Sequence, residues 1–374
     1  MNYTQRQREL CNIFLLGVNS HLEESNIDIR FFRFASSTLL ATDKAILFDT
    51  EDEIINENQS FIYPVFIPHN TFKNDKAILL LHGLNERNWS KYLPWAEYLC
   101  EKTGKAVILF PIAYHINRSP YSWSNPRALQ SILEHRKNKY GNDRSLSFAN
   151  VVLSERITEK PIRFYNSGRQ SLADLTQLFT EIKRGFHPLF KENTQIDIFA
   201  YSIGAFLSQI TLMTNSNGLF TDSKLFMFCG GSIFSYMFGE SRSIMDKPAF
   251  ARLLEYYMTD FEKEVRYKSE TDKGYQSFYS MISPDRNQIE RENFFKRLGN
   301  KVGGISLAKD LVIPYRGVLQ ALGNECAKTR IKLLDFTFPY THENPFPVLK
   351  SIDSSEVDKS FTTIFSDAAH FLAN

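Results

Sequence analysis

The chain has 374 residues, 43% hydrophobic and 23% charged, which is enough apolar material for one α/β core with insertions or a second small domain. A net charge of +2 is too mild for nucleic-acid binding, which needs a concentrated basic face. Cys11, Cys100, Cys229 and Cys326 are scattered without C-x-x-C spacing, which argues against a disulfide framework or a zinc site, and no run approaches the roughly twenty apolar residues of a membrane span. Arg6 and Arg8 precede a short apolar stretch from Cys11 to Val18, but Asn12 interrupts it and Asn19, Ser20 and His21 follow it in place of a cleavage site. No signal peptide is expected, and a cytoplasmic location follows.

In chain order, Ile29 to Phe34 and Phe61 to Ile67 read as early strands, the second with Pro64 and Pro68 that suit an edge position. Between them, Glu51 to Asn58 is a polar connector, and residues 1–70 are expected to extend the sheet on its antiparallel side and do no chemistry. Lys76 to Leu81 is a continuous apolar run that ends in His82-Gly83-Leu84-Asn85, as a buried parallel strand would. Trp89 to Lys102 spaces Trp89, Leu93, Trp95, Ala96 and Leu99 as a helix, Gly104 stops it, and Ala106 to Pro111 forms the next strand of a β-α-β unit. An insertion at about 113–166 then leaves the carboxyl end of a strand, where open parallel sheets bind ligands. It carries Tyr114, His115, Arg118, Tyr121, Trp123 and Arg127, and its first part is expected to wall an active site.

The strand-like run Ile196 to Tyr201 breaks at Ser202 and continues as a helix-like run from Ile203. Ala200 and Gly204 stand two before and two after the serine, the G-x-S-x-G nucleophile elbow with alanine for its first glycine. Lys224 to Cys229 is another core strand, followed by Gly230-Gly231-Ser232, where a tight turn or backbone flexibility would explain the glycines. Residues 233–301 look helical and amphipathic, with Phe250, Leu253, Leu254, Tyr257 and Met258 at helical spacing and Phe294, Phe295 and Leu298 near the end. They are expected to fold as a cap over the elbow.

From about Ile62 onward the chain resembles the α/β-hydrolase superfamily, in which a strand ending in His-Gly precedes the elbow by about a hundred residues and supplies part of an oxyanion hole. The matching residues are His82-Gly83 and Ser202. The resemblance implies a mostly parallel central sheet with helices on both faces, a core of 71–232 and 302–374, and a cap of 233–301. It also implies triad members in the order serine, acid, histidine, which turns attention to two late segments. Gly303 to Pro314 looks like the late strand and acid loop, with Asp310 as the acid. Ile331 to Phe336 reads as the last strand, and the proline-rich loop Phe338 to Phe346 offers His342 as the base. His370 also follows Asp310, but Phe361, Ile364, Phe365, Ala368 and Leu372 set it on a helix that should pack behind the sheet.

The resemblance further implies oxyanion donors at the backbone N–H of Leu84 and Ile203, and a substrate pocket that includes His82, Gly83, Asn85, Tyr114, His115 and Tyr201. His82 is read as a structural histidine of that turn. The expected function is serine hydrolysis of a carboxylic ester on a small-molecule acyl substrate, without metal or organic cofactor. Acyl transfer or peptide cleavage on the same triad is the neighbouring alternative. A binding protein that kept the fold and lost turnover is the rival from another class, with Ala200 as its one support. Nothing in the sequence speaks to oligomeric state.

Overall fold

The computed structural model describes residues 2–37, 52, 54–265 and 271–373. Nine strands form one sheet: β1 Ser20–Leu22, β2 Ile27–Ala35, β3 Ser60–Pro68, β4 Asn74–Leu81, β5 Ala106–Leu109, β6 Phe190–Tyr201, β7 Leu225–Phe228, β8 Val302–Leu307 and β9 Ile331–Leu334. Their spatial order is β1-β2-β3-β5-β4-β6-β7-β8-β9. β1, β2, β3 and β5 pair antiparallel, and β5 through β9 pair parallel.

The central parallel strands are largely apolar where both faces are covered, from Ala77 to Leu81 in β4 and through Ala106–Leu109 and Leu225–Phe228. Leu79, Leu81, Ile108, Ile198 and Met227 point to one buried cluster, while Ile78, Leu80, Val107, Phe199 and Phe226 point to the other, the two-residue alternation of a pleated sheet. Helices Ile162–Lys183 and Ile203–Thr214 close the first face. Helices Leu93–Thr103 and Ser354–Ala373 close the second, the first of them ending on Gly104 in the left-handed conformation at φ 65°. Helix Tyr3–Ile13, which the sequence reading did not foresee, joins the second face. Its Thr4 N–H donates to Asp358 at 2.7 Å, and Tyr3 stacks on Phe361 at 4.3 Å.

One expectation about the early strands needs correction. β3, with Pro64 and Pro68, is interior, flanked by β2 and β5. It tolerates proline because its ladder with β5 covers only Val65 and Phe66. The edge is β1, whose three residues Ser20, His21 and Leu22 carry too little alternation to be read as a strand. Of the polar connector, Glu51 and Glu53 lie outside the described residues, and Asn56–Gln59 is a short helix whose Asn58 accepts from Arg118 Nε at 3.1 Å.

Helices Lys247–Thr259, Phe261–Val265, Lys273–Ser280 and Gln288–Leu298 make up most of the region 233–301, of which 266–270 lie outside the described residues. Tyr257, Phe261 and Phe278 share one buried cluster with Leu79 and Ile198 of the sheet, so these helices are packed into the main core. Among the described residues no helix is long and apolar enough to cross a membrane.

Three histidines are buried, and two of them, His82 and His187, are bonded in ways that suit only the neutral ring. His82 Nε2 accepts the Ile112 N–H at 2.9 Å, which leaves Nδ1–H to donate to Gly83 O at 2.8 Å. His187 Nδ1 accepts the Leu189 N–H at 3.2 Å and Nε2–H donates to Tyr63 Oη at 2.9 Å. His115 Nδ1–H donates to Ala113 O at 2.8 Å. Burial pushes His82 well below the ordinary imidazole range, and His115 and His187 down to about 4. A depressed pKa means the unfolded chain takes up protons that the folded chain refuses, so this stability is present above about pH 6.5 and lost as pH falls toward 4. The thermal midpoint is therefore expected to fall steadily between pH 6.5 and 5, before ordinary carboxylates protonate. A midpoint that stayed flat across that interval would rule out neutral burial of these rings.

Candidate active site

Ser202 stands between the last residue of β6 and the first turn of helix Ile203–Thr214, at φ 56° and ψ −121°. A positive φ is costly for a non-glycine residue and persists only where the surroundings hold it. Neighbouring glycines show how tightly this turn is held. A Cβ on Gly204 would lie 2.8 Å from the carbonyl oxygens of Leu81 and His82, and one on Gly230 would lie 2.5 Å from Ala205 Cβ and 3.0 Å from Ser202 O. Gly230 is thus required for close approach to the elbow, a role beyond the turn or flexibility read from the sequence. Ala200 is fully buried in β6, paired opposite Leu81, and its methyl sits in the core. The sharp turn forms with alanine at that position.

Ser202 Oγ lies 2.7 Å from His342 Nε2, and His342 Nδ1 lies 2.8 Å from Asp310 Oδ2. The three residues are 4%, 4% and 3% exposed. Asp310 follows β8, and its Oδ1 accepts the N–H groups of Val312 at 2.9 Å and Ile313 at 2.8 Å. Those two bonds fix the carboxylate so that Oδ2 faces the imidazole. His342 follows β9 on a loop secured from three sides. Tyr201 stacks on its ring at 5.4 Å and 15° and donates its hydroxyl to the His342 carbonyl. Tyr340 donates to Asp335 at 2.8 Å and accepts the Lys309 N–H at 2.9 Å, and Ser241 donates to Glu343. Cys229, at φ 46°, is buried beside Asp310, and burial together with that carboxylate pushes its thiol well above the usual range. It is no thiolate nucleophile.

Two backbone donors near Ser202 are unengaged. Among the described residues, the N–H groups of Ile203 and Leu84 donate to no protein acceptor, whereas the Gly83 N–H donates to Tyr92 Oη at 2.9 Å. Ile203 is the first residue of its helix, where an N–H has no partner within the helix.

Ser202 opens on a cavity of about 40 Å³ lined by Phe234, Met237, Met245, Phe250 and Leu253. Leu84 and Phe164 line both this cavity and a larger one of about 450 Å³. Asn85, Tyr114, His115, Tyr121 and Trp123 line the larger cavity. Other residues expected at the pocket are elsewhere. His82, Gly83 and Tyr201 line neither cavity: the His82 ring is held by backbone groups, and Tyr201 packs in the second core beneath His342. Arg118 is buried against Asp174 at 2.7 Å, and Arg127 is exposed away from the cavity. Phe14 and Leu16 reach the larger cavity, so the first seventy residues do more than extend the sheet. No sequence signal marked them, or Phe164, because a residue's reach to a distant cavity has no periodicity.

The arrangement of strands is that of the α/β-hydrolase fold. Among solved structures, a variant of the esterase rPPE complexed with (S)-Ac-CPA matches with a TM-score of 0.50 at 10% identity, over 94% of this chain and 86% of that one. A thermostable esterase from Pseudomonas putida ECU1011 matches with a TM-score of 0.46 at 10% identity, over 94% and 85%. A bacterial heroin esterase matches with a TM-score of 0.46 at 11% identity, over 92% and 84%. At 10% identity the likeness to the first of these is one of fold. No curated protein matches the sequence. The sequence matches the family described as "Family of unknown function (DUF6051)" over residues 1–373, and the chain belongs to that family.

Proposed function

We propose that the protein is a serine hydrolase that cleaves a carboxylic ester with a short acyl group. The observation that carries this is the hydrogen-bonded series Ser202 Oγ, His342 Nε2, His342 Nδ1, Asp310 Oδ2 at 2.7 and 2.8 Å, with the serine on a strained turn at the end of a central strand. In this mechanism Ser202 Oγ attacks the ester carbonyl as His342 Nε2 takes its proton. His342 then protonates the leaving alkoxide, and later activates the water that releases the acyl group. Asp310 holds the ring in the Nδ1–H tautomer and stabilises the imidazolium. The N–H groups of Ile203 and Leu84 donate to the tetrahedral oxyanion, each such donor being worth about 3 kcal/mol of barrier. The decisive experiment treats the protein with a fluorophosphonate and maps the adduct. Labelling of Ser202 is expected, and labelling of another serine, or none, overturns the assignment.

The cavity beside Ser202 has room for roughly three water-sized groups, which suits an acetyl-sized acyl portion, while the larger cavity beyond Leu84 and Phe164 takes the alcohol portion. We assign residues 233–301 the role of a cap because Met245, Phe250 and Leu253 border the small cavity. Phe250→Ala is expected to raise the kcat/KM ratio of hexanoyl over acetyl p-nitrophenyl esters by about tenfold, a gain of about 1.4 kcal/mol. Tyr257→Ala acts differently. Tyr257 is fully buried, donates to Pro161 O at 3.1 Å and accepts the Tyr165 N–H at 2.9 Å, so its loss costs about 3–5 kcal/mol of stability. An unchanged chain-length profile in Phe250→Ala would remove that side chain from the acyl site.

A further inference from the structure

We propose that His21, Asp28 and His69 form a binding site for a divalent transition-metal ion, Zn²⁺ being the best match, that ties the edge of the sheet together far from the catalytic serine. The three come from separate elements: His21 from edge strand β1, Asp28 from β2, and His69 from the turn after β3. His21 and Asp28 are directly opposed partners in the β1–β2 ladder, so their side chains leave the sheet on the same face. His69 is held beside them by its N–H, which donates to Asn26 O at 2.9 Å. Their potential ligand atoms all lie within 4.8 Å of one another.

His21 Nδ1 and His69 Nδ1 both lie against the same oxygen, Asp28 Oδ1, at 2.8 and 3.0 Å, and the rings are 4.4 Å apart. Two imidazoles and one carboxylate oxygen are a zinc donor set. Bonds of about 2.1 Å in tetrahedral geometry place ligand atoms about 3.4 Å apart, so the cluster needs to open by about half an ångström to admit the ion. Binding requires each Nδ1 as a lone-pair donor. A ring that ligates through Nδ1 carries its remaining proton on Nε2.

Asp28 is buried and oriented from behind. Arg30 Nη2 donates to its second oxygen, Oδ2, at 3.1 Å, leaving Oδ1 to the histidines. A hydrogen bond to the free oxygen of a ligating carboxylate is the outer support that metal sites use. The guanidinium also offsets part of the carboxylate charge, which weakens its hold on a cation. The histidine side chains are 38% and 36% exposed, so the ion has an entry path and a fourth position for water.

Register sets the distance from the chemistry. β3 runs antiparallel to β5, so Pro68 and His69 lie at the edge where the parallel strands begin, opposite the edge that carries Ser202. Five strand spacings separate β1 from β6, about 24 Å at about 4.8 Å each.

The test uses tag-free protein stripped with a chelator and titrated with Zn²⁺ by calorimetry, with Co²⁺ absorption as a report of four-coordinate geometry. One ion per chain, a zinc-dependent rise in thermal midpoint, and at least tenfold weaker binding in both His21→Ala and His69→Ala are expected. Ester hydrolysis is expected to be the same with and without the metal. The absence of stoichiometric binding, or unchanged binding in both folded variants, overturns the site. Loss of turnover on stripping the metal from wild type, but not from His69→Ala, overturns its purely structural role.

Discussion

Ser202→Ala is expected to reduce hydrolysis of p-nitrophenyl acetate by at least about 10⁴-fold in kcat, the scale seen when the nucleophile of a triad is removed and only oxyanion donors and binding remain. The stability effect should be small. Ser202 Oγ makes one side-chain hydrogen bond, to His342 Nε2, worth about 1 kcal/mol net, and losing a hydroxyl opens no cavity comparable to a lost methylene. Alanine keeps a Cβ, so the strain at φ 56° is nearly the same before and after. A thermal midpoint within a few degrees of wild type, together with loss of turnover and of fluorophosphonate labelling, is the expected pair of results. Retained turnover in a folded variant would move the nucleophile elsewhere.

The residues that were legible in the sequence are those whose role is local. The run Lys76 to Leu81 into His82-Gly83 and the run Ile196 to Tyr201 into Ser202 read as central strands, because a strand buried on both faces is apolar at nearly every position, Asp197 being a buried exception paired with Lys105. They pair in register from Ala77 opposite Ile196 to Leu81 opposite Ala200, which sets the His-Gly turn beside the elbow. β1 escaped notice for the opposite reason: three residues at a sheet edge bury one side chain and carry no period. β3 was misplaced at the edge because proline cannot donate to a ladder, yet Pro64 and Pro68 lie in the long pairing with β2, and on the other side the pairing with β5 is confined to Val65 and Phe66.

Within the candidate site, the sequence pointed to Asp310 and His342 by their order after Ser202 and their positions after late strands, and the fold brings the three side chains within hydrogen-bond distance of one another. Tyr201 was legible as a neighbour of the serine but not in its role. Strand alternation turns it away from the cavity and under His342, whose ring and carbonyl it holds through its own ring and its hydroxyl. The metal ligands were invisible altogether, since His21, Asp28 and His69 meet only through pairings across β1, β2 and β3. Tyr257 and Phe250 show the same limit on a helix: both belong to one apolar stripe, yet Tyr257 is core and Phe250 borders the small cavity.

The contrast between His342 and His370 gives the other large expected effect. Both follow Asp310, so chain order alone admits either as base. His342 is 4% exposed and bonded to Ser202 and Asp310 through opposite ring nitrogens, so His342→Ala removes the proton acceptor and breaks the link to the acid in one step. A loss of at least about 10⁴-fold in kcat is expected. His370 lies exposed in the last turn of helix Ser354–Ala373, whose Phe361, Ile364, Phe365, Ala368 and Leu372 pack against the sheet. The face it occupies points away from the core and from Ser202, so His370→Ala should keep kcat/KM within about twofold. Both variants are to be assayed on the same acetyl ester, with thermal midpoints measured alongside to show that each is folded. If a folded His370→Ala instead lost turnover, the base would have to come from the C-terminal helix. The route from β9 through His342 to Ser202 would then have no catalytic meaning.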